Sequence, residues 1–277
     1  MAENPLFSTR PYASSLYVPA GYNAAKPTPL LLLLHGYGFN GDAQELFFNL
    51  KPVAEAHTFL YAFPTGTQES SGLMKTFWNA TDACCNFGGS TVDDSQYLDA
   101  MITDIASHYN VDTKRIYLVG HSNGGFMAHR MACDHSSRIA GIVSLAGATW
   151  KDDSKCPADS PVAVLEVHGD ADGTIKYGGG STGVGSYPSA RKTIESWGTK
   201  NGCTGSRTAT AAVLDLDTGL PGAETTKEAV FGCPSGAAAE LWTIQGGEHL
   251  PSLQTDPDLA SSWGETVWSW LSEHPKP

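Results

Sequence analysis

Hydrophobic residues along this chain fall into short apolar runs, separated by stretches in which they recur every three or four positions. The runs predict strands over 12–18, 30–34, 58–63, 115–120, 139–146, 162–168 and 240–245. The spaced stretches predict helices over 42–56, 92–109, 124–134, 187–200 and 258–273. Alternation of this kind predicts an α/β fold: one mostly parallel sheet, helices on both faces, and ligand loops at the carboxyl ends of the strands. Thr91-x-x-Asp94 has the spacing of a capping box, which assigns Asp93 and Asp94 to starting a helix rather than to catalysis. Residues 204–239, polar and turn-rich, predict a hairpin excursion beyond the main sheet. No repeat, charge block or long Pro/Ser linker divides the chain, so residues 1–277 read as a single domain with no large cap.

The strand-to-helix junction near residue 120 carries chemistry. Arg115 to Gly120 is a short strand, Gly120-His-Ser-Asn-Gly124 is a Gly-x-Ser-x-Gly turn, and a helical segment follows. That order is a nucleophile elbow, in which glycines at 120 and 124 leave room for a strained backbone and Ser122 stands at the tip. The turn sets the N–H of Asn123 and the positive end of the next helix beside a reacting carbonyl. A glycine-rich turn alone would be common, but the flanking strand and helix are what the mechanism requires.

A serine nucleophile needs an acid and a base, and this architecture supplies them in the order Ser, acid, His. The strand at 162–168 runs into Gly169-Asp170-Ala171-Asp172-Gly173, so one of those two aspartates is the expected acid. The last strand runs into Gly246-Gly-Glu-His249, which makes His249 the general base. An oxyanion hole is expected where the Leu30–Leu34 strand meets His35-Gly36-Tyr37-Gly38, with the N–H of Tyr37 joining that of Asn123 as donors. His35 is expected to hold that loop rather than act as a second base. Nothing in this scheme calls for a metal or other cofactor.

Composition narrows the partners. The formal net charge of −12 and the lack of Lys/Arg clusters argue against nucleic acid and anionic membranes. The longest aliphatic run, Leu30 to Leu34, falls far short of the about 20 residues of a membrane span. A soluble monomer is the expectation. Six cysteines at 84, 85, 133, 156, 203 and 233 lack the paired spacing of a zinc site and suit an exported protein with three disulfides. Cys203 and Cys233 flank one stretch and would staple it. Cys84 and Cys85 would strain the peptide between them if they paired together, which makes Cys133 and Cys156 their natural partners. Met1-Ala-Glu-Asn4 carries no secretory leader, and the chain is expected to begin at the mature domain with an added initiator.

Taken together, these residues resemble the extracellular esterase family that includes polyhydroxybutyrate depolymerases, feruloyl esterases and related polyester hydrolases, within the α/β-hydrolase fold. The resemblance runs from the Leu30 strand through Val267–Leu271. It rests on Trp78-Asn79 with Cys84-Cys85, Val92-Asp93-Asp94, Gly-His-Ser-Asn-Gly-Gly at 120–125 and Met131-Ala-Cys133. Further along it rests on His168-Gly-Asp-Ala-Asp172, Trp197 with Asn201-Gly-Cys203, and Gly246-Gly-Glu-His249. The resemblance implies that Asp172 is the acid. Asp170 stands where the family usually has a small hydroxyl or similar residue. Tyr37 and Trp150 resemble the aromatic pair that sandwiches an acyl or aromatic group in polyester hydrolases, with Trp78 adding to that wall. A shallow cleft without a long cap suits a polymer chain or a feruloylated polysaccharide.

The leading reading is thus a secreted serine esterase. A non-catalytic carbohydrate- or polymer-binding protein on the same fold would bind such a substrate and release no acid; the complete Ser, Asp and His set argues against it. A serine peptidase is more remote, since nothing here resembles the propeller or anchoring acids of such enzymes.

Overall fold

Alternate leucines of one strand face opposite layers of the molecule. A computed structural model describes residues 5–70, 72–256, 258 and 262–277. In it Thr28–Leu34 (β2) is buried along its whole length. Leu30, Leu32 and Leu34 join one apolar cluster, and Leu31 and Leu33 join another on the other side of the sheet. A strand covered on both faces reads as an unbroken apolar run, which is why this segment needs no polar alternation.

Around β2 the sheet is built from Leu16–Tyr17 (β1), Leu60–Ala62 (β3), Val111–His121 (β4), Gly141–Leu145 (β5) and Ala163–Gly169 (β6). Arg207–Leu214 (β7), Thr225–Val230 (β8) and Ala238–Ile244 (β9) complete it. The nine strands lie in the order β1-β3-β2-β4-β5-β6-β9-β8-β7. From β3 to β9 neighbours run parallel, while β1, β8 and β7 are antiparallel additions at the edges. The 204–239 hairpin, expected from its polarity to leave the main sheet, stays within it. It extends the sheet, its polar residues suiting a half-exposed edge.

Asp94–His108 (α3), Asn123–Asp134 (α4) and Ala190–Lys200 (α5) put Met101, Phe126 and Trp197 into the first cluster. Gly41–Phe48 (α1), Lys51–His57 (α2) and Trp263–Ser272 (α6) put Phe48, Val53 and Trp268 into the second. Trp268 stacks on Phe59 with ring centroids 4.2 Å apart.

Three local expectations need correction. The helix expected over 42–56 is two helices, because Asn49 ends α1 at φ 50°, Pro52 opens α2, and the Glu45 carboxylate accepts the N–H groups of Leu50 and Lys51 at 3.2 and 3.0 Å. Those bonds satisfy backbone donors that a new helix start exposes. The side chain capping α3 is Asp93, which accepts from Gln96 N at 3.1 Å, rather than Thr91. Asp94 instead is buried against Arg10 at 2.5 Å and accepts from Asn79 N at 2.7 Å. Of the helix expected over 258–273, positions 259–261 lie outside the described residues, as does Met1–Asn4.

The cysteines pair as Cys133–Cys156, Cys203–Cys233 and Cys84–Cys85. The vicinal pair overturns the expectation that Cys84 and Cys85 would bond elsewhere. The peptide between them is cis, which brings their Cα atoms to 3.0 Å.

Candidate active site

Ser122 stands between β4 and α4 with φ 53° and ψ −118°, a conformation side chains rarely adopt. Its N–H is tied to Leu145 O at 2.8 Å. A Cβ at Gly120 would strike the carbonyl of Gly124, and one at Gly124 would strike that of Leu34, so the tight strand-to-helix turn admits only glycine at both places. The strain is held by neighbours packed on all sides.

The loop after β2 lies against this elbow: a Cβ built on Gly36 would sit 3.6 Å from Ser122 Cβ. His35 fixes the loop, donating from Nδ1 to Gly36 O at 2.8 Å and accepting the N–H of Gly66 at Nε2 at 2.9 Å. Burial lowers its pKa to about 4, so it serves as a neutral strut. Gly36 N donates to Gln44 Oε1 at 3.0 Å and Gly38 N to Thr76 O at 2.8 Å, so Tyr37 sits between two anchored amides. The Asn123 side chain grips both backbone groups of Trp78, accepting its N–H at 2.7 Å and donating to its carbonyl at 2.9 Å. Trp78 Nε1 donates to His35 O at 3.1 Å.

Those bonds place Trp78 inside the core, with 0% of its surface exposed, and it cannot form a wall that touches substrate. Its role is to brace the elbow against the His35 loop. Trp150 keeps 8% exposure within the apolar cluster that also holds Ile175 and Tyr187. The Tyr37 ring meets Phe87 edge to face at 5.0 Å, and its hydroxyl donates to Glu69 Oε1 at 2.6 Å. Phe87 is 45% exposed and was not anticipated from the sequence, where a lone aromatic in a loop carries no signal.

Asp172 and His249, the expected acid and base, lie on two loops zipped together beyond the ends of β6 and β9. Ala171 N donates to Gly247 O at 3.1 Å, and Gly169 has no room for a side chain beside Gly247. Asp172 Oδ2 is 2.7 Å from His249 Nδ1. Its other oxygen accepts the N–H groups of Thr174 and Ile175 at 2.7 and 2.9 Å. Burial alone would raise the Asp172 pKa; hydrogen bonds from His168 and His249 outweigh it and hold the carboxyl well below the usual range. Asp170 is exposed and accepts from Gly246 N at 2.7 Å, so it ties down the start of the loop that carries His249, while Asp172 alone of the two aspartates bonds to His249.

Two further contacts hold His249. His121, the residue before Ser122, donates from Nε2 to His249 O at 3.0 Å, and the two rings stand 5.0 Å apart. The connection between β7 and β8 holds the loop from the far side. Asp217 Oδ1 accepts from Ser252 N at 3.0 Å, and Thr218 N donates to Ser252 O at 2.8 Å. His121 sat in the elbow motif as a variable position, and only its neighbours in space reveal its use.

The sequence matches the phospholipase/carboxylesterase family over residues 22–195, more than half of the chain. The chain belongs to that family. The matched span holds Ser122 and Asp172 but ends before His249. Among curated relatives, feruloyl esterase B of Piromyces equi is 29% identical over 83% of this chain and 41% of that protein. Feruloyl esterase D of Neurospora crassa is 24% identical over 92% of this chain and 79% of that protein. The first three such relatives are longer proteins, of which the chain spans 41%, 46% and 22%. Of solved structures, an acetyl xylan esterase from Aspergillus awamori superposes with a TM-score of 0.63 over 93% of this chain and 92% of its own, at 16% identity. That likeness establishes the α/β-hydrolase fold.

Proposed function

We propose that this protein is a serine esterase that hydrolyses bulky carboxylic esters, with hydroxycinnamoyl esters such as feruloylated polysaccharide foremost and polyesters as a related class. The observation that carries the reading is the 2.7 Å bond from Asp172 Oδ2 to His249 Nδ1, on loops beside the strained Ser122 elbow. With Nδ1 engaged by the acid, His249 Nε2 is the atom available to take the Ser122 proton. Ser122 Oγ then adds to the ester carbonyl, and the N–H groups of Tyr37 and Asn123 receive the negative charge. Collapse expels the alcohol, protonated by His249, and water repeats the sequence on the acyl-enzyme. The feruloyl esterase relatives favour the hydroxycinnamoyl class, and Tyr37, Phe87 and the edge of Trp150 are apolar surface of the kind an aromatic acid would use. Export is part of the proposal, supported by the pairing of all six cysteines.

The test is a fluorophosphonate probe followed by a substrate panel. Covalent labelling of Ser122, with turnover of methyl ferulate or a p-nitrophenyl ester, is the expected result. A protein that binds feruloylated polysaccharide yet neither labels nor releases acid is a binding protein instead.

A further inference from the structure

A file of buried polar groups continues behind Asp172 into the core, and its protons can be placed one by one. Trp197 Nε1, which can only donate, lies 3.0 Å from His129 Nδ1, so that nitrogen is an acceptor and the proton of His129 is on Nε2. His129 Nε2 donates to Glu166 Oε2 at 3.1 Å. Glu166 Oε1 is 3.0 Å from His168 Nδ1. At the other end of that ring, Nε2 lies 2.7 Å from Ile175 O, which can only accept, so Nε2 carries a proton as well. The same nitrogen is 3.5 Å from Asp172 Oδ2. The side chains of Glu166, His129 and Asp172 are fully buried and that of His168 nearly so.

With Nε2–H committed to Ile175, Nδ1 and the Glu166 carboxylate cannot meet through two lone pairs; a proton lies between them. We infer that Glu166 and His168 are positioning residues for Asp172, His168 standing as a buried imidazolium that Glu166 neutralises. One arm of this cation anchors the Ile175 carbonyl, fixing the turn whose Thr174 and Ile175 amides hold Asp172 Oδ1, so that Oδ2 stays aimed at His249. Its charge, close to Oδ2, also moderates the field that Asp172 exerts on His249. Burial alone would lower the His168 pKa, but hydrogen bonds to Asp172 and Glu166 carry it to about 9. Titratable groups facing His168 are Glu166, Asp172, His121, whose charged form the charge on His168 disfavours, and Tyr177, whose ring is edge-on at 5.8 Å. Those facing His249 are Asp172 and His121. The Tyr187 hydroxyl accepts from Lys176 N beside this turn, and burial and Asp172 keep it neutral.

This inference rests on the esterase reading, and Glu166→Gln separates the two. The introduced amide would keep every hydrogen bond, its oxygen accepting from His129 and its NH₂ donating to a neutral His168, while removing both charges. The cation lost is nearer His249 than the anion lost. The acid limb of the kcat/KM profile, which reports protonation of the base, should therefore move up by about 0.5–1 pH unit, on the order expected at an effective dielectric constant of about 20. In wild-type protein, imidazole ¹⁵N shifts should show His168 protonated on both nitrogens from pH 5 to 8, and on Nε2 alone in E166Q. An unmoved acid limb in a folded E166Q protein, or a wild-type His168 with bare Nδ1, would overturn the inference. Should E166Q fail to fold, the wild-type spectrum decides. Absence of turnover by the wild type would sink the esterase reading and leave the spectrum to judge the pair.

Discussion

His121 Nε2 and the backbone carbonyl of His249 are joined by a 3.0 Å hydrogen bond, so the residue beside Ser122 holds the peptide that carries His249. Burial, with the neighbouring His249 adding to it, lowers the His121 pKa to about 3, and the ring stays neutral in working conditions. Replacing it by Phe should reduce kcat about tenfold or more with little change in KM, while Gln, which retains an N–H donor, should recover part of the loss. Equal activity in His121→Phe and wild type would show that the base loop is held without it.

Mutants of the proposed triad have a graded expectation. Ser122→Ala and His249→Ala should each cost about 10⁴–10⁶ in kcat for a short-chain ester, and Asp172→Asn about 10⁴, with thermal stability nearly unchanged for the first two. Asp170→Asn should cost less than about tenfold, because its carboxylate holds Gly246 N. Steady-state rates decide this, and a larger loss at Asp170 than at Asp172 would reassign the acid.

The two tryptophans should part company. Trp150→Ala is expected to damage methyl ferulate or polyester hydrolysis far more than that of p-nitrophenyl acetate, since only a large acyl group would reach its exposed edge. Trp78→Ala should destabilise the fold by about 3–5 kcal/mol and lower both activities together. A matched decline on large and small substrates in Trp150→Ala would remove that ring from substrate recognition.

Stability should peak near pH 6.5. His35 and His121 have folded pKa values of about 4 and about 3, below the unfolded value near 6.5. As pH falls below 6.5 the unfolded chain binds protons that the folded one refuses, so stability is lost on the acid side, by a few kcal/mol at about pH 5. His168 runs the other way. Its raised pKa of about 9 gives stability that is complete below 6.5 and lost as pH climbs through 9. Denaturant midpoints that stay level from pH 6.5 to 4.5 would contradict the neutral state of the two struts.

Breaking Cys203–Cys233, which closes a 30-residue separation between α5 and the end of β8, should cost about 2–4 kcal/mol. Alkylation of the native protein should find no free thiol, and ready labelling of several cysteines would count against export as well.

How much of this was legible depended on whether a residue's requirement is local. The elbow was readable because the collision of any side chain at Gly120 or Gly124 leaves a mark in the sequence itself. Leu30–Leu34 was readable because burial on both faces forbids polar residues. Trp78 was misread because a core aromatic and a cleft aromatic look alike until the Asn123 side chain is seen holding its backbone. Thr91 and Asp93 both satisfy a capping pattern, and only the structure shows that it is Asp93 whose side chain accepts from Gln96 N. Glu166 carried an overlooked signal: a charge within an otherwise apolar strand needs a buried partner.

The grip of Asp217 and Thr218 on Ser252 ties the antiparallel extension to the loop that carries His249. Ser122 and Asp172 lie in the segment this chain shares with its family, whereas His249 rides on a later piece that supplies its own clamp. A chimera between relatives would thus have to exchange 207–254 as one cassette. Moving the 246–254 loop alone would strand the histidine without the hairpin that was shaped to receive it.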